Sequence, residues 1–245
     1  MSTEPLSATR GPGVVTVLAA GADALLLEVS SLDEVLSLEE WLRALVTKGT
    51  GPWARVTDVV PAARTVLLLT REGTDLAALR RSVLALAPEP RPGLGDSVRV
   101  GHGSAPGSGS ETAPKSHEVE VPVRYDGPDL DHVAGLTGLT PAEVVAAHAG
   151  MPWRVAFGGF APGFAYLVGG DPRLRVPRRD HPRPTVPAGA VGLAGEFSGV
   201  YPRASPGGWR LLGTTDATLW DVARDPPALL TPGTSVRFVD VTPSP

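Results

Sequence analysis

The chain has 245 residues, a formal net charge of −4, 42% hydrophobic and 20% charged residues, and no cysteine. This composition is typical of a globular protein of one or two domains, and its negative charge argues against non-specific nucleic-acid binding. The absence of cysteine excludes disulfides, thiolate zinc sites and cysteine nucleophiles, and it is compatible with the cytoplasm, where we expect the protein. No run reaches the roughly 18 apolar residues of a membrane span. We therefore expect neither nucleic acid nor membrane as a partner.

The N-terminal residues predict a β-hairpin. Residues 14–29 contain two apolar runs on either side of Gly21, which is a hairpin pattern. The first run, with Arg10 before it, also resembles the apolar part of a signal peptide. Glu4 spoils the positive charge that a signal peptide requires there, so the hairpin is favoured.

The next elements alternate between helix and strand. Helical spacing of apolar residues ends at Gly49 and begins either at Ser37, which forms a capping-box pattern with Glu40, or earlier, near Asp33. Two strands, a helix and a closing strand are then predicted over 55–60, 65–70, 75–87 and 96–100. This order predicts a ferredoxin-like α+β domain over residues 1–100, with no residues for chemistry.

The chain then passes through a linker into a second domain. Residues 101–117 are rich in Gly, Ser, Ala and Pro, which predicts a linker. His102 and His117 flank it and are expected to be solvated, because no carboxylate cluster accompanies them. For residues 118–245 we predict strands over 118–125, 153–157, 209–213 and 235–239, and helices over 129–136, 140–149 and 216–221. Many strands with irregular turns and few helices predict a closed barrel.

Residues 157–209 are the segment most suggestive of a binding site. They are rich in glycine and proline but also carry bulky apolar side chains, which disordered linkers lack. Backbone N–H groups at glycine-rich turns can face a ligand. No P-loop, dinucleotide-binding, zinc-protease or serine-hydrolase motif is present.

Charged groups within this segment allow two interpretations. Five arginines surround His181, and their guanidinium groups suit carboxylates and phosphates. The alternative, which the bare sequence favours, is a solvated basic loop. The five residues are Arg173, Arg175, Arg178, Arg179 and Arg183.

Other polar and aromatic residues have structural interpretations. His148, late in a helix, is expected to interact with the helix dipole unless the fold brings it to the glycine-rich segment. Ser198 and Ser205 have no evident base, so a serine nucleophile has little support. The three tryptophans of this half are expected in the core. They are Trp153, Trp209 and Trp220.

Five short segments together resemble a known family. They read FAPGFAY at 160–166, DPRL at 171–174, VPAGAV at 186–191, YP at 201–202 and SPGGW at 205–209. In this order they resemble the family of B-type 5-oxoprolinase subunits, also called allophanate hydrolase subunit 1 or the Kip-type kinase inhibitor family. The resemblance covers most of the chain, loosely in the N-terminal half and closely over residues 118–239.

The resemblance implies a fold, a reaction and partners. The fold is a small α+β domain followed by a cyclophilin-like β-barrel. The implied partners are a C-type subunit, also called allophanate hydrolase subunit 2, and a third, lactam-handling subunit, with which such proteins open 5-oxo-L-proline to L-glutamate at the expense of ATP. We therefore expect a B-type 5-oxoprolinase subunit that is inactive alone, with ATP as co-substrate of the complex and no cofactor tightly bound to this chain.

The same resemblance leaves two alternatives open. One is a carboxyltransferase or allophanate-hydrolase-like subunit of a urea-metabolising complex. The other is a non-catalytic inhibitor of a histidine kinase.

The resemblance places the site on three loops, 159–164, 187–189 and 205–209. Opening an unactivated amide requires stabilisation of negative charge on oxygen, which arginine and backbone N–H groups can provide. Arg183 and His148 are the predicted catalytic residues. The predicted substrate- or nucleotide-binding residues are Phe160, Pro162, Gly163, Phe164, Tyr166, Pro187, Ala188, Gly189, Gly207, Gly208 and Trp209.

Two positions depart from the family pattern. Phe197-Ser198 stands where the family usually has Gln-Thr, and Thr214 stands where it usually has arginine. The loss of an amide and a guanidinium group predicts either a changed substrate or lost activity. The alternative is that both groups were structural.

Overall fold

The structure, a computed structural model, describes residues 16–85 and 118–243. The chain divides at residue 110 into two compact units. The predicted closing strand 96–100 and the predicted linker 101–117 with its two histidines lie outside the described residues. In the two described ranges, no helix is long and apolar enough to cross a membrane.

The N-terminal unit is a four-stranded antiparallel sheet with two helices, and its strand order is β1-β2-β4-β3. Strands β1 and β2 pair from Thr16↔Glu28 to Ala19↔Leu25, which confirms the predicted hairpin. The ferredoxin-like class stays a prediction, because the strand that would complete it is not among the described residues. The elements are β1 Thr16–Ala19, β2 Ala24–Glu28, α1 Leu32–Lys48, β3 Val56–Pro61, β4 Thr65–Thr70 and α2 Leu76–Ala85.

Helix α1 begins earlier than its capping-box pattern indicated. The Ser31 hydroxyl accepts a hydrogen bond from the Glu34 N–H at 3.3 Å, so Ser31 is the N-cap and Ser37 lies within the helix. The alternative start near Asp33 is therefore the better prediction. Gly49, in the left-handed conformation, ends the helix as expected.

The C-terminal unit is a seven-stranded sheet in the order β12-β9-β10-β7-β6-β13-β5, with a separate ribbon of β11 and β8. The predicted helical turn at 216–221 is wrong, because this segment is irregular apart from a single bridge at Trp220. The elements are β5 Glu118–Val123, α3 Leu130–Thr137, α4 Pro141–Gly150, β6 Trp153–Gly158, β7 Ala165–Gly169, β8 Arg183–Val186, β9 Ala190–Ala194, β10 Phe197–Val200, β11 Ser205–Gly207, β12 Arg210–Thr214 and β13 Ser235–Asp240.

The two edge strands of this sheet meet at one point, which we call the seam. Arg124, just after β5, and Thr214, the last residue of β12, exchange two backbone hydrogen bonds of 2.8 Å. A Cβ on Gly213 would overlap the carbonyl oxygen of Arg124, so only glycine allows this approach. The sheet is thus a nearly closed barrel, which confirms the mostly-β prediction in outline.

Candidate functional site

Two of the three predicted loops meet in a cluster of seven aromatic rings. Phe160 and Phe164 come from the first loop and Trp209 from the last. The Phe164 ring is 5.4 Å from Trp209 and 5.4 Å from Tyr201, measured between centroids. These distances are typical of edge-to-face aromatic pairs. The aromatic cluster consists of Phe157, Phe160, Phe164, Tyr166, Phe197, Tyr201 and Trp209.

The third predicted loop joins the cluster through the backbone of Tyr201. The Gly189 N–H donates to the Tyr201 carbonyl at 2.7 Å, and the Gly189 carbonyl accepts from the Thr215 N–H at 2.8 Å. Pro187 and Ala188 are exposed beside it. The structure therefore brings all three loops together around Tyr201, a residue that the sequence analysis did not place in the site.

Phe160 is held in an unusual backbone conformation at the rim of the aromatic cluster. Its φ is 66°, the only positive value for a non-glycine residue in the part of the chain that the structure describes, and it is 59% exposed. A bulky residue in this region stores strain on the order of 1–3 kcal/mol, and such strain is concentrated at functional sites. The same loop packs against Trp220, because a Cβ on Gly163 would lie 2.9 Å from the Trp220 Cβ.

The expected core position is wrong for one of the three tryptophans. Trp153 and Trp209 are 2% and 4% exposed, but Trp220 is 42% exposed. The irregular segment that replaces the predicted helix leaves much of the Trp220 side chain uncovered.

A buried carboxylate holds two of the five arginines, and we call Asp129, Arg179 and Arg183 the aspartate–arginine cluster. Oδ1 of Asp129 accepts from the Arg183 guanidinium at 2.8 Å and from the Arg179 guanidinium at 3.0 Å. Its Oδ2 accepts from the Leu211 N–H at 2.7 Å. Arg183 also donates to the Trp209 carbonyl at 3.4 Å, so the cluster supports the loop that carries Trp209.

Electrostatics keep Asp129 ionised although its side chain is only 4% exposed. Burial alone would raise its pKa, but the Arg183 hydrogen bond, the Leu211 N–H and the charges of Arg183 and Arg179 hold the pKa below its usual value. Asp129 was not among the predicted site residues, because in the sequence it resembles an ordinary helix N-cap. In the structure its side chain makes no capping bond to α3.

The other arginines lie at the surface. Arg173 pairs with Asp171 at 2.6 Å and Arg175 with Glu196 at 3.0 Å. The solvated-loop interpretation is therefore correct for these two and wrong for the partly buried Arg179 and Arg183. Near Arg175, a hollow of about 330 Å³ is lined by Arg175, Val176, Pro177, Gly195 and Glu196 and contains none of the predicted binding residues.

His148 lies in the barrel core. Its side chain is fully buried, with Nδ1 2.8 Å from the Tyr125 hydroxyl and Nε2 2.8 Å from the Ser198 hydroxyl. Burial lowers the pKa of His148 to about 3, so the imidazole is neutral and the expected charge–dipole interaction is wrong. Ser198 lies within residues 157–209, so the fold does bring His148 to the glycine-rich segment, but neither hydrogen-bond partner belongs to the three loops.

Ser198 has a base that the sequence analysis did not find. The contact with His148 Nε2 has the length of a nucleophile–base hydrogen bond. Both side chains are fully buried, however, so no substrate reaches this hydroxyl in the described conformation. We interpret the Tyr125–His148–Ser198 chain as a satisfied polar network in the core.

Protonation of His148 is expected to make stability depend on pH. An unfolded histidine titrates near pH 6.5, while the folded pKa is about 3, so the unfolded state binds the extra proton between these values and stability falls as pH decreases. From pH 7 to pH 5 the loss from this residue is about 2 kcal/mol. Urea unfolding of wild type and His148→Gln at both pH values measures it, and His181→Gln, at an exposed position, is the control. An equal pH dependence in wild type and His148→Gln would contradict the assignment.

The two departures from the family pattern lie in different places. Phe197 belongs to the aromatic cluster, with its ring 5.4 Å from Tyr166 and 5.9 Å from Phe157. Thr214 lies at the seam, where its hydroxyl donates to Asp126 at 3.0 Å. Phe197 therefore adds an apolar wall to the candidate site, whereas Thr214 is part of barrel closure.

Among residues 16–85 and 118–243, no group of three or more His, Asp or Glu side chains is arranged to hold a metal ion.

Comparison with known proteins finds similarity over most of the chain. The family described as "Carboxyltransferase domain, subdomain C and D" matches residues 15–230. The chain is 51% identical over 129 residues to the B-type 5-oxoprolinase subunit of Escherichia coli O157:H7, covering 51% of this chain and 59% of the relative. It is 46% identical over 127 residues to the protein of the same name from Bacillus subtilis (strain 168), covering 51% of this chain and 53% of that relative. The chain thus matches little more than half the length of these relatives.

Solved structures have the same fold. The protein in the crystal structure of TTHA0988 is 34% identical in sequence to this chain, and the two structures match with a TM-score of 0.65. The match covers 91% of this chain and 41% of that one. The crystal structure of the Kluyveromyces lactis urea carboxylase matches with a TM-score of 0.66. The match covers 93% of this chain and 22% of the urea carboxylase chain. At 20% identity, the second likeness concerns the fold alone.

Proposed function

Because the chain belongs to the family of carboxyltransferase domains, subdomains C and D, we propose that it is the B-type subunit of an ATP-dependent 5-oxoprolinase. The observation that carries the proposal is its 51% identity over 129 residues to a curated B-type 5-oxoprolinase subunit, which confirms the family recognised from the sequence. The reaction is the opening of 5-oxo-L-proline to L-glutamate. The partners are a C-type subunit and a third, lactam-handling subunit, without which the chain is inactive.

The proposed chemistry begins with activation of the lactam. The γ-phosphoryl group of ATP moves to the lactam oxygen and ADP leaves. One water then attacks the ring carbon, and the C–N bond breaks as the nitrogen takes up a proton, which leaves an acyl phosphate. A second water hydrolyses this acyl phosphate to L-glutamate and phosphate. ATP is thus a co-substrate of the complex, with no cofactor bound tightly to this chain. We place the complex in the cytoplasm, with which a cysteine-free chain is compatible.

The proposed site is the region where the three loops meet around Tyr201. Arg183 is the proposed catalytic residue, because its guanidinium group is partly exposed beside loop 205–209 and can stabilise negative charge on oxygen. His148 enters the proposal as a positioning residue, since it holds Ser198 on β10, the strand that also carries Phe197. For the two units we propose the ferredoxin-like and cyclophilin-like classes.

A second candidate is a carboxyltransferase-type subunit of a urea-metabolising complex. The description of the matching family names a carboxyltransferase domain, which favours this reaction class. Such a protein would act with a biotinylated partner. Transfer of a carboxyl group from a biotinylated partner protein, together with no turnover of 5-oxo-L-proline, would identify this second candidate.

The test is reconstitution. The full chain is co-purified with its C-type partner, the third subunit is added, and ATP hydrolysis and glutamate release are measured with and without 5-oxo-L-proline. We expect turnover that requires all three subunits and the lactam. A stable complex that hydrolyses no ATP in response to the lactam would contradict the proposed substrate, and failure to form a complex would contradict the subunit role.

A further inference from the structure

Arg178 differs from the other four arginines of its segment in having no carboxylate partner among the residues that the structure describes. Arg173, Arg175, Arg179 and Arg183 each lie within 3.0 Å of a carboxylate oxygen. In residues 16–85 and 118–243, Arg178 forms no ion pair, and it is exposed. Its Nε lies 3.9 Å from the position that a Cβ on Gly208 would take, so the side chain lies over the glycine turn of loop 205–209.

The backbone on both sides of Arg178 is anchored. The carbonyl of Pro177, the residue before it, accepts from the Arg210 guanidinium at 3.0 Å. The N–H of Arg179, the residue after it, donates to the Gly208 carbonyl at 2.8 Å, and the Arg179 side chain bonds Asp129. The backbone of Arg178 is thus fixed against loop 205–209 before any ligand arrives, which lowers the entropic cost of binding.

A hydroxyl group lies beneath the same turn. A Cβ on Gly207 would overlap the Tyr201 hydroxyl, so the absence of a side chain there makes room for it. Burial raises the pKa of Tyr201, and the Trp209 N–H and the positive charges of Arg178 and Arg183 oppose this effect. The hydroxyl is therefore neutral at physiological pH, and Tyr201, at 2% exposed, supports the turn from below while the Arg178 charge acts at its position.

We propose that the exposed Arg178 binds an oxyanion of the ligand at the Gly207-Gly208 turn. Three guanidinium groups lie here with one buried carboxylate, in a chain whose net charge is −4. A guanidinium fork binds a carboxylate or phosphate through two parallel hydrogen bonds. The assignment rests on the proposed function, whose two substrates supply these groups. The lactam 5-oxo-L-proline carries a carboxylate, and ATP carries phosphates.

Calorimetric titration of the full chain tests the site and separates the two sources. The ligands are 5-oxo-L-proline, 2-pyrrolidinone, which is the same lactam without its carboxylate, and ATP. We expect Arg178→Gln to weaken 5-oxo-L-proline binding by about 10- to 100-fold, the range for a charged hydrogen bond, and to leave 2-pyrrolidinone unchanged. Arg175→Gln, on the same exposed segment but paired with Glu196, is the matched control.

Each outcome bears on the assignment. A loss confined to 5-oxo-L-proline assigns the oxyanion to the lactam carboxylate, and a loss confined to ATP assigns it to phosphate. The site would be overturned if wild type and Arg178→Gln bound both 5-oxo-L-proline and ATP with equal affinity. It would also be overturned if wild type bound 5-oxo-L-proline and 2-pyrrolidinone with equal affinity and did not bind ATP.

Turnover in the reconstituted complex distinguishes this assignment from the proposed function. For a carboxylate site, Arg178→Gln raises the KM for 5-oxo-L-proline with a smaller effect on kcat. A wild-type complex without turnover, combined with Arg178-dependent binding, would reject the function and keep the anion site. Normal turnover with an unchanged KM and unchanged affinities in Arg178→Gln would reject the site and keep the function.

Discussion

Asp129→Ala is expected to lower the free energy of unfolding by about 3–5 kcal/mol, the usual cost of removing one partner from a buried ion pair. The substitution leaves Arg183 and Arg179 without their carboxylate and the buried Leu211 N–H without its acceptor. Urea unfolding at pH 7 measures the change. Asp129→Asn, which keeps an acceptor oxygen but loses the charge, is expected to fall between wild type and Asp129→Ala.

The matched control is Asp216→Ala, which removes an exposed carboxylate that also binds an arginine, Arg124. We expect this variant to unfold almost as wild type does, because solvent screens such a pair. The folded pKa of Asp129 is lowered, so its contribution is complete above the unfolded carboxyl pKa of about 4 and is lost as pH falls through the folded pKa. The difference in the free energy of unfolding between wild type and Asp129→Ala should therefore become smaller below about pH 4. Equal losses in Asp129→Ala and Asp216→Ala would refute the cluster.

Gly213→Ala is the second substitution for which we expect a large effect, a loss of about 3 kcal/mol or more, at the upper end of the range for overpacking. The added methyl group would overlap the Arg124 carbonyl, so the two backbone hydrogen bonds of the seam must lengthen or break. Thermal and urea unfolding measure the loss of stability. Amide hydrogen exchange at Arg124 and Thr214 reports whether the seam has opened.

Gly135→Ala provides the control for this experiment. Gly135 lies in helix α3, and a Cβ there meets nothing within 4 Å. Alanine at such a position is expected to stabilise the protein by about 0.5–1 kcal/mol, because glycine loses more backbone freedom on folding. If Gly213→Ala changed stability as little as Gly135→Ala, the barrel would not close at this point.

The sequence predicted those parts of the fold that depend on local patterns. The hairpin around Gly21, the α1 terminus at Gly49 and the helix predicted over 140–149 all follow from nearest neighbours along the chain, and the structure has each of them, the last as α4. The wrong helix at 216–221 has a local cause as well. Its apolar spacing fits a helix, but Leu219 is buried in the core from an irregular segment, so tertiary packing determined the conformation.

The candidate site was predictable only in part, because it combines residues far apart in the sequence. Glycine- and proline-rich loops and the family motifs indicated its three loops. Asp129 reaches Arg183 across 54 residues, and His148 reaches Ser198 across 50, and no local pattern reports such contacts. Tyr201 was missed for the same reason, since its ring packs on Phe164, 37 positions away in the sequence, and on Trp209.

The seam has a consequence for the order of folding events. Arg124 and Thr214 are 90 positions apart, and β5 joins the sheet by pairing Glu118 with Ser235, near the other end of this unit. Contacts of such long range form slowly, because the entropy of loop closure is lost before they stabilise anything. Until they form, the edges of β5 and β12 expose unpaired backbone groups to other chains. We therefore expect aggregation during refolding to increase with protein concentration, with these two strands as the segments that join one molecule to the next.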